Sequence, residues 1–491
     1  MKAELIRNFI GGAWHTPASG RTQENINPAN GESVGHVVVS GVGEAESAVR
    51  AAHAAAPAWR QTPAPKRGEI LFRAAGIMRR RKDEIARALT LEEGKSLSDA
   101  GGEVQRAINC IEFSAGEGRR MFGQVIPSEL ASNMIYTRRI PLGVVGLITP
   151  WNFPLAIPAW KAGPALVCGN TVVHKPASIT PWCAKLLAEV FAEAGLPDGV
   201  WNVIFGPGGA IGDTLVQHPH VAALSFTGSN EIGQRLYALG AAHKKKIQCE
   251  MGGKNAIIVL DDADLELAAN ATVQGAFYSS GQRCTATSRA VVAKPVLAKF
   301  TELVVEKTRQ LKVGDGLAPG VQVGPVVDEK QFASVMGYLE IGKSEGRLLC
   351  GGERLGGELA GGFFIAPTVF DRIEPSHRMS QEEIFGPVLS VIEAADDAAA
   401  FHTANDSHYG LSSSVYTRDV GRVFRYIDQV ETGILHVNSP TVGGEAQVPV
   451  GGLKDTGVGG REQGTTALDF FTEWQSIYID YTGGRRTVSF Y

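Results

Sequence analysis

The sequence predicts an α/β protein in which two parallel-sheet units follow one another along the chain. Three observations predict it. Short apolar runs alternate with helical stretches from about residue 140. A second alternation of the same kind starts near residue 252. The chain, at 491 residues, is too long for one ordinary core.

The elements follow in order. Residues 44–59 are rich in Ala and predict a helix that Pro57 should end. Residues 67–91 predict a longer helix, with Leu71, Ala74, Ile77 and Met78 at helical spacing. Arg79, Arg80, Arg81 and Lys82 form a basic cluster that reads as a solvated face. Residues 143–148 and 170–173 are short apolar strands. Thr180 and Pro181 then supply an N-cap and first helical residue, Leu186, Leu187, Val190 and Phe191 an apolar face, and Gly195 and Pro197 a stop. Residues 201–205, 223–226 and 256–260 continue the strand series. In the second unit the expected elements are a helix at 265–279, a strand at 290–293, a helix at 296–311, and further pairs to about residue 438. Residues 134–140 and 476–481 alternate like long strands, suited to pair with each other or with another subunit.

Composition narrows the function classes. Lys plus Arg is 47 and Asp plus Glu is 51, a net charge of −4, which argues against nucleic acid or an anionic membrane as the main partner. No run approaches the length of a membrane-spanning helix, and the first residues lack a signal-peptide pattern. The six cysteines form no C-x-x-C pair, so the expected setting is a reducing cytoplasm; no metal site is expected.

Several residues carry chemistry. Gly206, Gly208, Gly209 and Gly212 follow a strand and open a helix, one residue too long for the usual dinucleotide fingerprint. Ser229 also stands between strand and helix, as a plain N-cap or beside a pyrophosphate. Cys284 sits in a small polar loop, Ser279-Ser280-Gly281-Gln282-Arg283-Cys284-Thr285, where Arg283 would favour a thiolate. Cys110, Cys168, Cys183, Cys249 and Cys350 read as inert thiols. Glu250 ends a strand beside Gly252 and Gly253, a place suited to a general base. Singly, each of these is an ordinary loop residue.

Together they resemble the aldehyde dehydrogenase superfamily. The matching segments are Pro150-Trp151-Asn152-Phe153-Pro154, His174-Lys175-Pro176-Ala177-Ser178, Phe226-Thr227-Gly228-Ser229, Glu250-Met251-Gly252-Gly253-Lys254, Gly281-Gln282-Arg283-Cys284 and Glu382-Glu383-Ile384-Phe385-Gly386-Pro387. Their order and spacing cover roughly residues 8 to 480. The resemblance implies a Rossmann-like cofactor domain at 1–122 and 142–252, bridging and oligomerisation strands at 123–141 and 468–491, and a catalytic domain at 253–467. It implies oxidation of an aldehyde to an acid through a thiohemiacetal and a thioester. Cys284 would be the nucleophile, Asn152 the oxyanion donor and Glu250 the base for water. Lys175, Ser229, Gly206, Glu383, Phe385, Trp151 and Ile148 would hold NAD or NADP. Ser178 stands where many NAD-preferring members carry Glu, so NADP should be accepted.

Arg461-Glu462-Gln463-Gly464 resembles the branch that oxidises α-ketoglutaric semialdehyde, as do Gly281–Ala286 and Tyr136-Thr137-Arg138-Arg139. Val450 replaces a Phe frequent in the family. A semialdehyde acid needs a cation, and Arg119 or Arg120, Arg283 and His436 are the candidates; Phe153 and Trp160 would wall the pocket. An aromatic or general aliphatic aldehyde is the alternative substrate. A thiol hydrolase and a silent, crystallin-like scaffold are the alternatives of other classes. The family assembles as homodimers or homotetramers through strands such as these.

Overall fold

The computed structural model describes residues 4–484. The α/β expectation holds. One sheet has eight strands in the spatial order Gly457–Val458, Lys246–Glu250, Val221–Thr227, Val144–Ile148, Thr171–Lys175, Trp201–Val203, Asn8–Ile10 and Ala13–His15. Its five central strands run parallel, and both edges are closed by antiparallel partners. Val144–Ile148 and Thr171–Lys175 are buried at every position, as strands covered by helices on both faces must be. Strand order reverses beside Val144–Ile148, whose neighbours are the next strand in sequence and a later one. Ligands of such sheets bind outside the carboxyl ends of the strands at that reversal. Ile148, Lys175, Thr227 and Glu250 all stand at those ends.

The second sheet has seven strands, in the order Arg347–Cys350, Thr368–Asp371, Val388–Ala394, Thr287–Ala293, Asn255–Val259, Ser412–Tyr416 and Ile434–Val437. Only Arg347–Cys350 is antiparallel. Buried Arg289 ties this sheet to the end of helix Asp397–Asn405, donating to the carbonyls of Lys254, Thr403 and Ala404. Gly457–Val458, late in the chain, crosses back to the first sheet and pairs with Lys246–Glu250.

Asn133–Pro141 and Thr472–Asp480 pair with each other, antiparallel along their full length. Their outer face exposes Trp474 and Tyr478. Of the expected bridging residues, 485–491 lie outside the described residues.

Four local expectations are corrected. Helix Val42–Gln61 runs through Pro57 instead of stopping there. The expected helix at 67–91 is two, Ala64–Arg80 and Lys82–Glu93, broken at Arg81. The arginines at that break pair outward, Arg79 with Glu112, Arg80 with Glu193, and Arg81 with Glu84 and Glu189. Thr180 is the N-cap of Pro181–Glu193, but its hydroxyl caps nothing. Buried Glu92 does so instead, accepting from the N–H groups of Trp182 and Cys183. Finally, the helix expected to reach residue 279 ends at Phe277, because Ser279 and Ser280 adopt left-handed backbone. No helix among the described residues is long and apolar enough to cross a membrane.

Candidate active site

The turn before Cys284 is unusual in its backbone. Ser279, Ser280 and Gly281 have φ of 51°, 56° and 68° in succession. For the two serines this conformation costs energy that neighbours must offset. Asp99 accepts from both the N–H and the hydroxyl of Ser279, at 3.0 Å each, and Ser280 Oγ donates to the Gly324 carbonyl. Gly281 is required here: its backbone is left-handed, and a Cβ would run into the carbonyl of Gly386. The turn delivers Cys284, half-buried, to the wall of a cavity of about 810 Å³.

The expected stabilisation of a thiolate by Arg283 is not found. Arg283 Nη2 is committed to Asp99 at 3.0 Å and to Ser279 Oγ at 2.8 Å. Burial pushes the Cys284 thiol up to about 12, and the nearby carboxylates of Glu383, Glu250 and Glu462 act in the same direction. Burial and the neighbouring carboxylates thus both favour the thiol form of the sulfur.

Asn152 follows Val144–Ile148, the first of the parallel strands in the first sheet. Its Nδ2 donates to the Gln282 carbonyl at 3.0 Å, two residues before the thiol. An amide nitrogen carries two hydrogens, so one donor remains. The backbone around it is clamped from beneath. Lys95 Nζ donates to the Asn152 carbonyl, and Glu103 accepts from Leu155 N and Ala156 N at the start of helix Ala156–Val167.

Glu250, at the end of its strand, lines the same cavity as Cys284. Burial raises its pKa well above the ordinary 4.5, and repulsion from Glu462 adds to the rise. Its Oε2 accepts from Gly452 N at 3.1 Å. Glu462 itself is held by an ion pair with buried Lys161 and by Trp160 Nε1 at 2.7 Å. Lys161 continues to Ser225 Oγ at 2.7 Å.

A second group of residues stands at and beyond the strand ends. Lys175 is nearly buried, and its ammonium has no hydrogen-bond or ion-pair partner among the described residues; burial lowers its pKa to about 8. Gly206 precedes helix Gly208–Gln217, and Ser178 Oγ reaches the Gly206 carbonyl at 3.4 Å. Ser229 starts helix Asn230–Ala242 without using its hydroxyl as a cap, so the hydroxyl and the free N–H groups of that helix remain open. Ile148 is buried at the end of its strand. Trp151 and Phe385 meet edge to face, centroids 5.4 Å apart. Glu383 accepts from Gly253 N at 3.0 Å, and burial raises its pKa to about 7. A partnerless buried ammonium, an open helix N-terminus and a buried carboxylate are the kinds of group that suit a dinucleotide with its phosphates and two riboses.

The aldehyde dehydrogenase family model matches residues 14–477. The chain belongs to the aldehyde dehydrogenase family. It is similar to the α-ketoglutaric semialdehyde dehydrogenase of Bacillus subtilis, 44% identical over 476 residues, 96% of this chain and 97% of the relative. It is also similar to the α-ketoglutarate semialdehyde dehydrogenase of Haloferax volcanii, 42% identical over 97% of this chain and 99% of the relative. Among solved structures it resembles an NADP-dependent enzyme of E. coli, with 38% identity and a TM-score of 0.94 over 96% of this chain and 98% of that one.

For this aldehyde dehydrogenase, the residues expected around the substrate separate into two groups. Phe153, Trp160 and Arg283 line the cavity with Cys284. Arg119, Arg120 and His436 do not. Arg119 is mostly exposed and 3.8 Å from Glu69, and Arg120 pairs with Glu117, because the helix carrying that segment ends at Glu117 and turns them outward. His436 is half-buried on its strand, and that strand contributes Ile434 to the cavity instead. Sequence reasoning missed Arg106, which lines the cavity from helix Leu97–Glu117. It shares a face with Asp99, Gly102, Glu103, Asn109 and Phe113, a polar stripe at helical spacing that was legible as a pattern. Lys95 and Lys161 were also missed, and nothing local in the sequence distinguishes them from surface charges; Glu462 stood in the Arg461-Glu462-Gln463-Gly464 motif but was given no role.

Proposed function

We propose that this protein is an NADP-accepting semialdehyde dehydrogenase that converts an aldehyde bearing a remote carboxylate, such as α-ketoglutaric semialdehyde, into the dicarboxylate. The observation that carries the chemistry is the opening of Cys284 and Glu250 onto one cavity, with the Asn152 amide anchored two residues from the thiol. The relatives named for α-ketoglutaric semialdehyde support the substrate class.

The thiol of Cys284 must lose its proton to attack, and Glu250, a carboxylate made more basic by burial, is the acceptor in the same cavity. Attack gives a tetrahedral thiohemiacetal whose oxyanion takes hydrogen bonds from Asn152 Nδ2 and the Cys284 N–H. Such a donor is worth roughly 3 kcal/mol of barrier. A bound nicotinamide supplies the hydride acceptor. Loss of hydride leaves a thioester on Cys284. Once Glu250 has released the thiol's proton to solvent, it takes one from water, which attacks the thioester and expels the thiolate. Glu383 would hold one ribose and Lys175 the other, with Trp151, Ile148 and Phe385 flanking the cofactor. Ser178 puts no carboxylate against a 2′-phosphate, and Lys175 offers it a charge partner; the likeness to an NADP-dependent enzyme of E. coli supports acceptance of NADP.

The expected domain limits belong to the same reading: a cofactor unit at 1–122 and 142–252, a catalytic unit at 253–467 and bridging strands at 123–141 and 468–491. The exposed aromatic face of Thr472–Asp480 supports a homodimer or homotetramer, and six free cysteines support a reducing, cytoplasmic setting.

The test is reduced-nicotinamide absorbance with α-ketoglutaric semialdehyde, pentanal and benzaldehyde, each with NAD and with NADP. The acid should have the highest kcat/KM, and Cys284→Ala should abolish turnover. Preference for benzaldehyde or pentanal would favour a general aldehyde dehydrogenase, and no turnover of any aldehyde would favour a silent scaffold.

A further inference from the structure

The acids and bases of the substrate cavity can be paired off. Asp99 is matched by Arg283 at 3.0 Å, Glu103 by Lys95 at 2.7 Å, Glu112 by Arg79 at 2.6 Å and Glu462 by Lys161. Burial drives Glu250 toward its neutral form. Glu445, exposed on the loop across the cavity, is bonded to Gln447. Two cations line the cavity, Arg283 and Arg106. Arg106 alone has no carboxylate within ion-pair distance among the described residues.

Its surroundings hold the guanidinium in place without neutralising it. Arg106 Nη2 donates to Gln463 Oε1 at 2.9 Å. The guanidinium lies 5.5 Å from the centre of the Trp160 ring, and Trp160 is fixed by its bond to Glu462. Space is left on its open side by Gly444, where a Cβ would stand 3.0 Å from Nη2. Gln463 is buried, and its Nε2 donor has no acceptor among the described residues. Its backbone is left-handed, with φ of 59° in a non-glycine residue. A buried amide donor left without a partner is costly, and a strained residue that carries one beside an uncompensated guanidinium marks a place where an acceptor belongs.

We infer that Arg106, positioned by Gln463 and Trp160, is the carboxylate subsite of the substrate cavity. The ligand chemistry is a carboxylate on the end of the aldehyde remote from Cys284. A planar guanidinium takes such a group through two parallel hydrogen bonds, and the Gln463 amide offers a third donor. This assignment rests on the semialdehyde-acid reading above, and it moves the role expected of Arg119, Arg283 or His436 to a residue on another helix.

The test compares glutaric semialdehyde with pentanal, which has the same carbon number and no carboxylate, on the holoenzyme. In the wild type the acid should have the lower KM, and unreactive glutarate should compete with it. Arg106→Met and Arg106→Gln should raise KM for the acid on the order of tenfold to a hundredfold, the loss of a charge-assisted hydrogen bond. The loss on pentanal should be several-fold smaller, and glutarate inhibition should weaken in step. Arg106→Lys should recover part of the acid's KM, since it restores the charge without the fork. Equal losses on acid and pentanal in a variant with the wild-type melting temperature would overturn the subsite. A wild type that does not favour the acid over pentanal would instead overturn the substrate class itself.

Discussion

Lys95 Nζ donates a 2.6 Å hydrogen bond to the main-chain oxygen of Asn152, from a position with no solvent exposure. The same ammonium pairs with Glu103 at 2.7 Å and lies 4.1 Å from the centre of the Phe153 ring. Glu103 in turn accepts from Leu155 N and Ala156 N. One buried ion pair therefore fixes both the residue proposed to hold the oxyanion and the helix start behind it. Burial works against the charge on Lys95, but Glu103 and Glu93 more than offset it and its pKa is raised.

Lys95→Met removes one partner of that pair and leaves Glu103 charged in the interior. Breaking a buried pair in this way costs about 3–5 kcal/mol. The variant should melt well below the wild type. Its kcat should also fall toward that of Asn152→Ala, because the amide loses its support. Combining Lys95→Met with Glu103→Gln should restore part of the melting temperature while leaving kcat low. A Lys95→Met enzyme with unchanged melting and unchanged kcat would show that the pair supports neither fold nor site.

The pH dependence follows from Glu250. Its pKa lies well above the ordinary 4.5, first through burial and then through Glu462. A base works in its deprotonated form, so kcat should rise with pH, and the acidic limb should centre above the usual carboxylate range. Glu250→Gln cannot take a proton from water. Because the same carboxylate is proposed to take the thiol's proton, both the first release of reduced cofactor and steady turnover should slow. Wild-type turnover by Glu250→Gln would assign the base to another group. Glu462→Gln removes the neighbouring charge and should shift the limb to lower pH.

How far the sequence carried this site differs residue by residue. Cys284, Glu250 and Asn152 were legible because each stands in a motif with its own spacing. The parallel strands were legible as short apolar runs, and Ile148, Lys175 and Glu250 fall at their carboxyl ends. Arg283 shows the limit. Its place beside the thiol in sequence suggested a thiolate partner, but Asp99, distant in sequence, takes its charge. Arg119 failed similarly, since adjacency within a basic segment does not say which side of a helix end faces a cavity. The roles of Arg106, Lys95 and Glu462 could not be read for one shared reason. Their partners, Gln463, Asn152 and Lys161, come from elements that only tertiary packing brings together. The helix that continues through Pro57 and the capping role of Glu92 reflect the same override of local propensity by packing.

Cofactor choice should respond to position 178. Ser178 Oγ lies against the Gly206 carbonyl, and Lys175 Nζ lies near Gly208 on the same turn, 3.8 Å from where a Cβ there would stand. Ser178→Glu would set a carboxylate near the site proposed for the 2′-phosphate. Like charges placed together cost several kcal/mol. The NADP kcat/KM should therefore fall by at least about tenfold, roughly 1.4 kcal/mol, with NAD affected less. The ratio of the two cofactors' kcat/KM reads this directly. A wild type preferring NAD by more than about a hundredfold, roughly 2.7 kcal/mol, would already contradict the proposal.

The turn before the thiol makes the last prediction. Gly281 has φ of 68° and packs against the Gly386 carbonyl, so Gly281→Ala adds both backbone strain and a collision. Each factor alone costs on the order of 1–3 kcal/mol. The turn can relieve them only by moving, and Cys284 lies three residues on. Reactivity should therefore fall further than stability. Gly281→Ala should lower kcat by more than about tenfold while the fold persists, and titration of the accessible thiol in the native protein should slow or change stoichiometry. Ser280→Gly is the matching control, since it removes strain at φ of 56° and gives up only the hydroxyl bond to Gly324. It should keep far more activity than Gly281→Ala. If the two variants lose activity equally, the left-handed turn does not set the position of the sulfur.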